Sequence, residues 1–174
     1  MREEIMMAAG ETMLLIDQSR CVGCHACETA CKMENNVPPG PRWMEVVEHE
    51  SVDAAGDVAL SFLPLNCRHC ADAPCIAVCP TQALARDGLG LVRLERERCI
   101  GCGECLFVCP FGAPQFGEDR LMQKCHGCRE RRARNLPTAC AQYCPSGALR
   151  CATPRELSHL VRTSRAALGA ARAD

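Results

Sequence analysis

Sixteen of the seventeen cysteines fall into four quartets: Cys21, Cys24, Cys27 and Cys31; Cys67, Cys70, Cys75 and Cys79; Cys99, Cys102, Cys105 and Cys109; and Cys125, Cys128, Cys140 and Cys144. Each quartet opens with Cys-x-x-Cys and closes with Cys-x-x-x-Cys, and in three of them the last cysteine precedes a proline (Pro80, Pro110, Pro145). Thiolates spaced this way reach several irons of one cubane from a single tight turn of backbone, the ligand pattern of 4Fe–4S clusters. Sixteen thiolates suffice for four such clusters with none missing. The chemistry open to them is the passage of single electrons.

Two other uses of cysteine fit poorly. A disulfide framework conflicts with the odd cysteine count and with Met1 to Gly10, which shows neither an apolar signal core nor a twin-arginine motif. Zinc sites join two separated Cys-x-x-Cys pairs and need no third cysteine or closing Cys-Pro. The chain shows no nucleophile–base constellation and no nucleotide-binding loop, so no catalytic residue is assigned.

The formal charge is −1, which argues against a nucleic-acid partner. Four oxidised clusters with their thiolates take the loaded protein to roughly −9. The arginines then serve partly to offset buried negative charge, and the only two lysines, Lys32 and Lys124, each sit beside a quartet cysteine. Aromatic residues are scarce, so a conventional core is thin and folding is expected to be coupled to metal binding. No apolar run approaches a membrane span; the longest are Leu60 to Leu65 and Ala166 to Ala171. The expected location is cytoplasmic, or peripheral to a membrane through a partner.

An internal repeat positions the quartets. Leu14 to Cys24 aligns with Val92 to Cys102 at an offset of 78 residues, each a short apolar strand leading through an acid and an arginine into a cysteine loop. Cys79-Pro80-Thr81-Gln82-Ala83-Leu84 likewise resembles Cys144-Pro145-Ser146-Gly147-Ala148-Leu149. In a two-cluster ferredoxin the fourth cysteine of each run ligates the other cluster. Residues 67–116 have the layout of one such module, with a strand near Gly90 to Leu94 between the second and third quartets. By elimination the first and fourth quartets, in residues 12–36 and 117–152, form the other, and the two ends of the chain must meet. The ligand sets expected are Cys21, Cys24, Cys27 with Cys144; Cys67, Cys70, Cys75 with Cys109; Cys99, Cys102, Cys105 with Cys79; and Cys125, Cys128, Cys140 with Cys31. The expected fold is α+β, two bacterial-ferredoxin-like βαββαβ modules with an inserted hairpin and a C-terminal helix.

The insertion is residues 37–66. Val37-Pro38-Pro39-Gly40-Pro41 acts as a stiff breaker, and Trp43 to Glu50 and Asp57 to Leu63 form strands around an Asp53-Ala54-Ala55-Gly56 turn. It either covers a module or touches a partner, or it merely bridges the modules. Residues 153–174 open with a capping box, Thr153 as N-cap, Pro154 first in the helix and Glu156 reaching back, followed by an apolar stripe of Leu157, Leu160, Val161 and Leu168. That stripe is expected to pack on the chain's own core, with docking to a partner as the alternative. His25, His69 and His126 lie in cysteine loops, where they hydrogen-bond sulfur or face solvent, since the cysteines already complete the ligand count. Arg129, Arg131, Arg132 and Arg134 form either a solvated face or a surface for an acidic partner. Cys151 is read as a small core residue and not a ligand.

The chain resembles the four-cluster iron–sulfur subunits of the dimethyl sulfoxide reductase superfamily. The resemblance rests on Cys21-Val22-Gly23-Cys24-His25-Ala26-Cys27-Glu28-Thr29-Ala30-Cys31-Lys32, on Asn66-Cys67-Arg68-His69-Cys70 through Pro74-Cys75, on Cys109-Pro110-Phe111-Gly112-Ala113-Pro114-Gln115, and on the eleven residues between Cys128 and Cys140. It implies a catalytic partner holding a molybdenum or tungsten bis-pterin cofactor and, further along, a quinone-reacting membrane subunit or another redox subunit. Cys105 stands where some of these subunits lack a cysteine and hold a 3Fe–4S cluster, so four 4Fe–4S clusters are expected. The alternative role is a free-standing polyferredoxin or accessory carrier for a hydrogenase or formate dehydrogenase system.

Overall fold

A computed structural model describes residues 13–52 and 56–170 of the chain, without the side chains of 161 and 164–170. The readings of Met1 to Gly10, of Asp53 to Ala55 in the hairpin turn, and of the Val161 and Leu168 side chains lie outside the described residues. The architecture is α+β: short helices and four two-stranded antiparallel sheets.

The two ends of the described chain meet in a strand pair. β1 (Met13–Ile16) runs antiparallel to β8 (Leu149–Ala152), with Leu14 opposite Cys151 and Ile16 opposite Leu149. β4 (Leu84–Arg86) and β5 (Val92–Leu94) pair in the same sense, with Leu84 opposite Leu94. The two pairs are copies. The Asp17 amide donates to the Ala148 carbonyl at 2.8 Å, and the Glu95 amide donates to the Ala83 carbonyl at 2.7 Å. Each is followed by one turn of 3-10 helix (Gln18–Arg20, Arg96–Arg98) that delivers Cys21 or Cys99 with φ −73° or −76°. Leu84 and Leu149 fill equivalent core positions at 3% and 2% exposure, and burying each side chain contributes about 1.5–3 kcal/mol. In one copy the strands are joined by a turn, where Asp87 accepts from the Leu89 and Leu91 amides, both at 2.9 Å. In the other copy that joint is open, because its strands come from opposite ends of the chain.

Short helices follow the cysteine loops: α1 (Ala26–Asn35), α2 (Pro74–Ala77), α3 (Glu104–Phe107), α4 (Arg129–Ala133) and α5 (Ala139–Gln142). α1 and α3 occupy equivalent places in the repeat. Both start from a left-handed residue, His25 at φ +56° and Gly103 at φ +83°. The core is in two parts, and cysteines make up much of both. One gathers Cys27, Cys31, Met44, Val46, Cys140 and Leu149; the other gathers Ala73, Leu84, Val92, Cys105 and Met122.

The inserted hairpin is β2 (Met44–Val52) and β3 (Val58–Asn66), each strand about as expected though displaced toward its C-terminal end. Its base is anchored: the Val46 amide donates to Glu28 of α1 at 2.6 Å, and the Trp43 indole N–H donates to Gln123 at 3.2 Å. Its far half, including Val52 and Val58, is exposed. The insertion also alters the expected strand order. β3 pairs with β2, and β6 (Gln115–Phe116) pairs with β7 (Met122–Gln123), so the strands flanking the second and third quartets do not pair with each other. Nine residue pairs join β3 to β2, and β6 pairs with its nearest neighbour in sequence.

α6 (Pro154–Ala170) ends the described chain. Its capping box is formed: the Thr153 amide donates to Glu156 at 2.7 Å and the Glu156 amide donates to the Thr153 hydroxyl at 3.2 Å. Leu157 borders Leu14, Ile16 and Ala152. Among the described residues no helix is long and apolar enough to cross a membrane.

Candidate metal centres

No two cysteines are bonded to each other. Burial and mutual proximity show how they group. Burial pushes the Cys27 thiol up to about 12, and after it Glu28, Cys21 and Cys144 add to the rise. Cys31 is pushed up to about 12 by burial, then by Cys125 and Cys128. Cys140 is raised by burial, with Cys125, Cys128 and Cys31 adding. Burial raises Cys75 too, with Cys67 and Cys109 adding and Lys124 opposing. Cys79, Cys99, Cys102 and Cys105 line one cavity. The structure therefore brings Cys144 to the first quartet's loop, Cys31 to the fourth's, Cys109 to the second's and Cys79 to the third's. Cys24 and Cys102, equivalent in the repeat, are the two exposed members.

The transferred cysteines have their own donors. The Leu149 amide donates to Cys144 Sγ at 3.3 Å and the Ser146 hydroxyl lies 3.6 Å from it. Thr81 stands in the same relation to Cys79 at 3.7 Å. Burial raises both thiols, and these donors outweigh it, so both end below the usual thiol range. Asn35 Nδ2 approaches Cys31 Sγ at 3.6 Å and Cys128 Sγ at 3.9 Å. Buried Thr138 places its hydroxyl 3.4 Å from Cys140 Sγ and 3.6 Å from Cys151 Sγ. Inspection of the quartets alone missed Asn35 and Thr138. The hydroxyl two residues after Cys79 and after Cys144 was legible as part of the repeat.

Glycine is required where the loops meet other segments. Gly23 has φ +66°, and a Cβ there would collide with the Phe62 ring of β3, so the hairpin covers the first loop. Its equivalent Gly101, φ +68°, is packed against the Arg120 carbonyl.

The charged residues are mostly committed. Lys124 is 4% exposed; its Nζ donates to the carbonyls of Val92 and Cys125, the latter at 3.0 Å. Lys32 donates to the Pro38 carbonyl at 3.2 Å. Arg131 pairs with Glu34 of α1 at 2.9 Å and donates to the Pro137 carbonyl at 2.7 Å, and Arg129 pairs with Asp87 at 3.5 Å. Arg131 thus stitches the fourth loop to α1 and is largely buried, whereas Arg129 pairs with buried Asp87 from an exposed position. His25 contacts Glu28 at 3.2 Å, and His126 packs edge-on to Trp43 at 5.2 Å between centroids. His69 accepts from the Val92 amide at 3.0 Å, and burial, then Lys124 and Arg132, hold its imidazole down to about 3.

These residues fit clusters better than single ions. Among the described residues no three His, Cys, Asp or Glu side chains converge tightly enough for one metal ion, whereas tetrahedral zinc holds its thiolates about 3.8 Å apart. Cys31, Cys125, Cys128 and Cys140 instead share the lining of an open cavity of ≈ 380 Å³ with Cys67 and Cys151. Buried thiols with raised affinity for protons, surrounded by amide, hydroxyl and amide-side-chain donors, favour a thiolate only when a strongly cationic core replaces the protons.

Comparison with known proteins agrees with this chemistry. A 4Fe–4S dicluster domain is matched over residues 58–153 and again over 20–84, so the two ranges share the second quartet and together take in all four. The thiosulfate reductase electron transfer subunit of Salmonella typhi is 39% identical over 144 residues, covering 79% of this chain and 73% of that protein. A polypeptide of the anaerobic dimethyl sulfoxide reductase of Escherichia coli is 37% identical over 142 residues, covering 77% and 69%. A putative iron-sulfur subunit of a dimethyl sulfoxide reductase from Halobacterium salinarum is 33% identical over 165 residues, covering 78% and 63%.

Proposed function

We infer what this chain does from its membership: it belongs to the 4Fe–4S dicluster family, among the iron–sulfur electron-transfer subunits of the dimethyl sulfoxide reductase superfamily. It carries four 4Fe–4S clusters and is not an enzyme by itself. Each cluster, when bound, takes up and releases one electron. The residues that hold them are Cys21, Cys24, Cys27 and Cys144; Cys67, Cys70, Cys75 and Cys109; Cys99, Cys102, Cys105 and Cys79; and Cys125, Cys128, Cys140 and Cys31. The observation that supports these sets is the crossing of each fourth cysteine, Cys144 beside Cys27 and Cys31 beside Cys125 and Cys128.

The chain comprises two ferredoxin-like modules. Residues 67–116 make one, and residues 12–36 with 117–152 make the other, closed by the β1–β8 pair. They stand to each other as circular permutants, since quartet, strand, strand, quartet recurs through β4–β5 and through β8–β1. The thiol sets form one unbroken series. Cys75 of the second neighbours Cys105 of the third, Cys67 of the second neighbours Cys125 of the fourth, and Cys31 of the fourth neighbours Cys27 of the first. Exposed Cys24 and Cys102 mark the two ends of the series. Electrons enter at one end and leave at the other.

The partner at one end is a catalytic subunit with a molybdenum or tungsten bis-pterin cofactor, as the names of the thiosulfate and dimethyl sulfoxide reductase relatives suggest. The other end meets a second redox subunit. The test is native isolation under anaerobic conditions with the neighbouring subunits co-expressed. A stable complex whose clusters are reduced or oxidised by the partner's substrate supports the reading. A monomer that exchanges electrons only with soluble donors overturns it.

A further inference from the structure

The histidine in the second cysteine loop is placed to act on a different set of thiols. The Val92 amide donates to His69 Nδ1 at 3.0 Å, which fixes the neutral ring with its proton on Nε2. That Nε2 is buried and has no hydrogen-bond partner in the protein. A buried N–H without a partner is rare, because it has lost water and gained nothing. The ring reaches the fourth loop: Nε2 lies 3.5 Å from where a Cβ of Gly127 would stand. His69 also lines the ≈ 380 Å³ cavity that Cys31, Cys125, Cys128 and Cys140 line together with Cys67 and Cys151. Glycine suits position 127 because its φ is +70° and a Cβ there would press on Leu91 at 3.0 Å.

We propose that His69 donates its Nε2–H to a sulfur of the cluster held by Cys125, Cys128, Cys140 and Cys31, and so raises that cluster's reduction potential. This rests on the ligand sets proposed above. A hydrogen bond to cluster sulfur stabilises the reduced, more negative state, so potential rises with each donor. His69 is thus a positioning and tuning residue. Its backbone belongs to one module and its imidazole serves the other, at the junction of the second and fourth thiol sets. The Val92 amide that orients it lies in β5, and the Val92 carbonyl accepts from Lys124 beside Cys125. One strand residue therefore aligns both a neutral donor and a cation on the same side of the fourth loop.

The test uses the whole chain loaded with clusters. Potentials are measured by redox titration followed by electron paramagnetic resonance, on the native protein, H69L and H69Q. Pulsed resonance on protein grown with histidine labelled in its ring nitrogens supplies a second readout. The expected result is one midpoint potential lowered in H69L and largely restored in H69Q, which keeps an N–H donor. A ring-nitrogen coupling in the native protein should vanish in both variants. If iron content is unchanged while all four potentials and the coupling persist in H69L and H69Q, the inference is overturned. If the native protein itself lacks four clusters, the ligand sets fail instead. H69Q with the native protein decides the matter through the coupling even where H69L fails to fold.

Discussion

At the scale of residues, the decisive feature is that a thiol's partners come from another quartet. Cys144 sits against Cys27 and shares hydrogen-bond donors in kind with Cys79. If Cys144 belongs with Cys21, Cys24 and Cys27, the paired substitutions C24A and C144A together remove one cluster. The protein then keeps about twelve irons. Combining C128A with C144A removes two clusters and leaves about eight irons by the same count. The reverse pattern, two clusters lost in the first double variant and one in the second, would refute the crossing. Cys151 poses the opposite case. Its sulfur accepts from the Thr138 amide at 3.4 Å and lines the ≈ 380 Å³ cavity, yet the fourth ligand set proposed above is complete without it. C151S should retain about sixteen irons, and a missing cluster on metal analysis would show that the ligand list is wrong.

At the scale of elements, the chain folds because short strands deliver cysteines and a few apolar side chains close over them. Leu149 is 2% exposed and pairs with Ile16. L149A should cost about 2–5 kcal/mol, read as a lower denaturant midpoint for loss of the cluster absorbance. An unchanged midpoint would show that the β1–β8 seam contributes little. The α6 capping box is a separate unit. T153A should weaken that helix by about 1 kcal/mol, visible as faster amide exchange in its first turn with iron content unchanged. Most of this was legible in advance. The 78-residue repeat, the hairpin and the capping box all follow from local pattern, and local hydrogen bonds form them. What was not legible depends on contacts distant in sequence. β3 pairs within the inserted hairpin and β6 pairs with β7, and no spacing announces those pairings. The arginines around α4 look like a charge run, yet Arg131 is tied to Glu34, 97 residues away. The crossing of ligands is an expectation that a two-cluster module imposes, and the iron counts of the double variants test it.

At the scale of the whole molecule, the clusters and the fold are one system. Aromatic residues are few, and both parts of the core contain cysteines. Burial raises Cys27, Cys31, Cys105 and Cys125 to about 11 or 12, so these thiols resist ionising without a metal core. Removing iron anaerobically with a chelator should collapse near-ultraviolet dichroism and open most amides to exchange. A chelated protein with native exchange protection would contradict the coupling. On the arrangement proposed above, the relay takes its shape from two modules and four thiol sets in series, with exposed Cys24 and Cys102 at opposite ends. The most direct test of this account is the iron and acid-labile sulfide content of the anaerobically purified protein. The prediction is about sixteen of each per polypeptide. A value near eight, or zinc in place of iron, would contradict it.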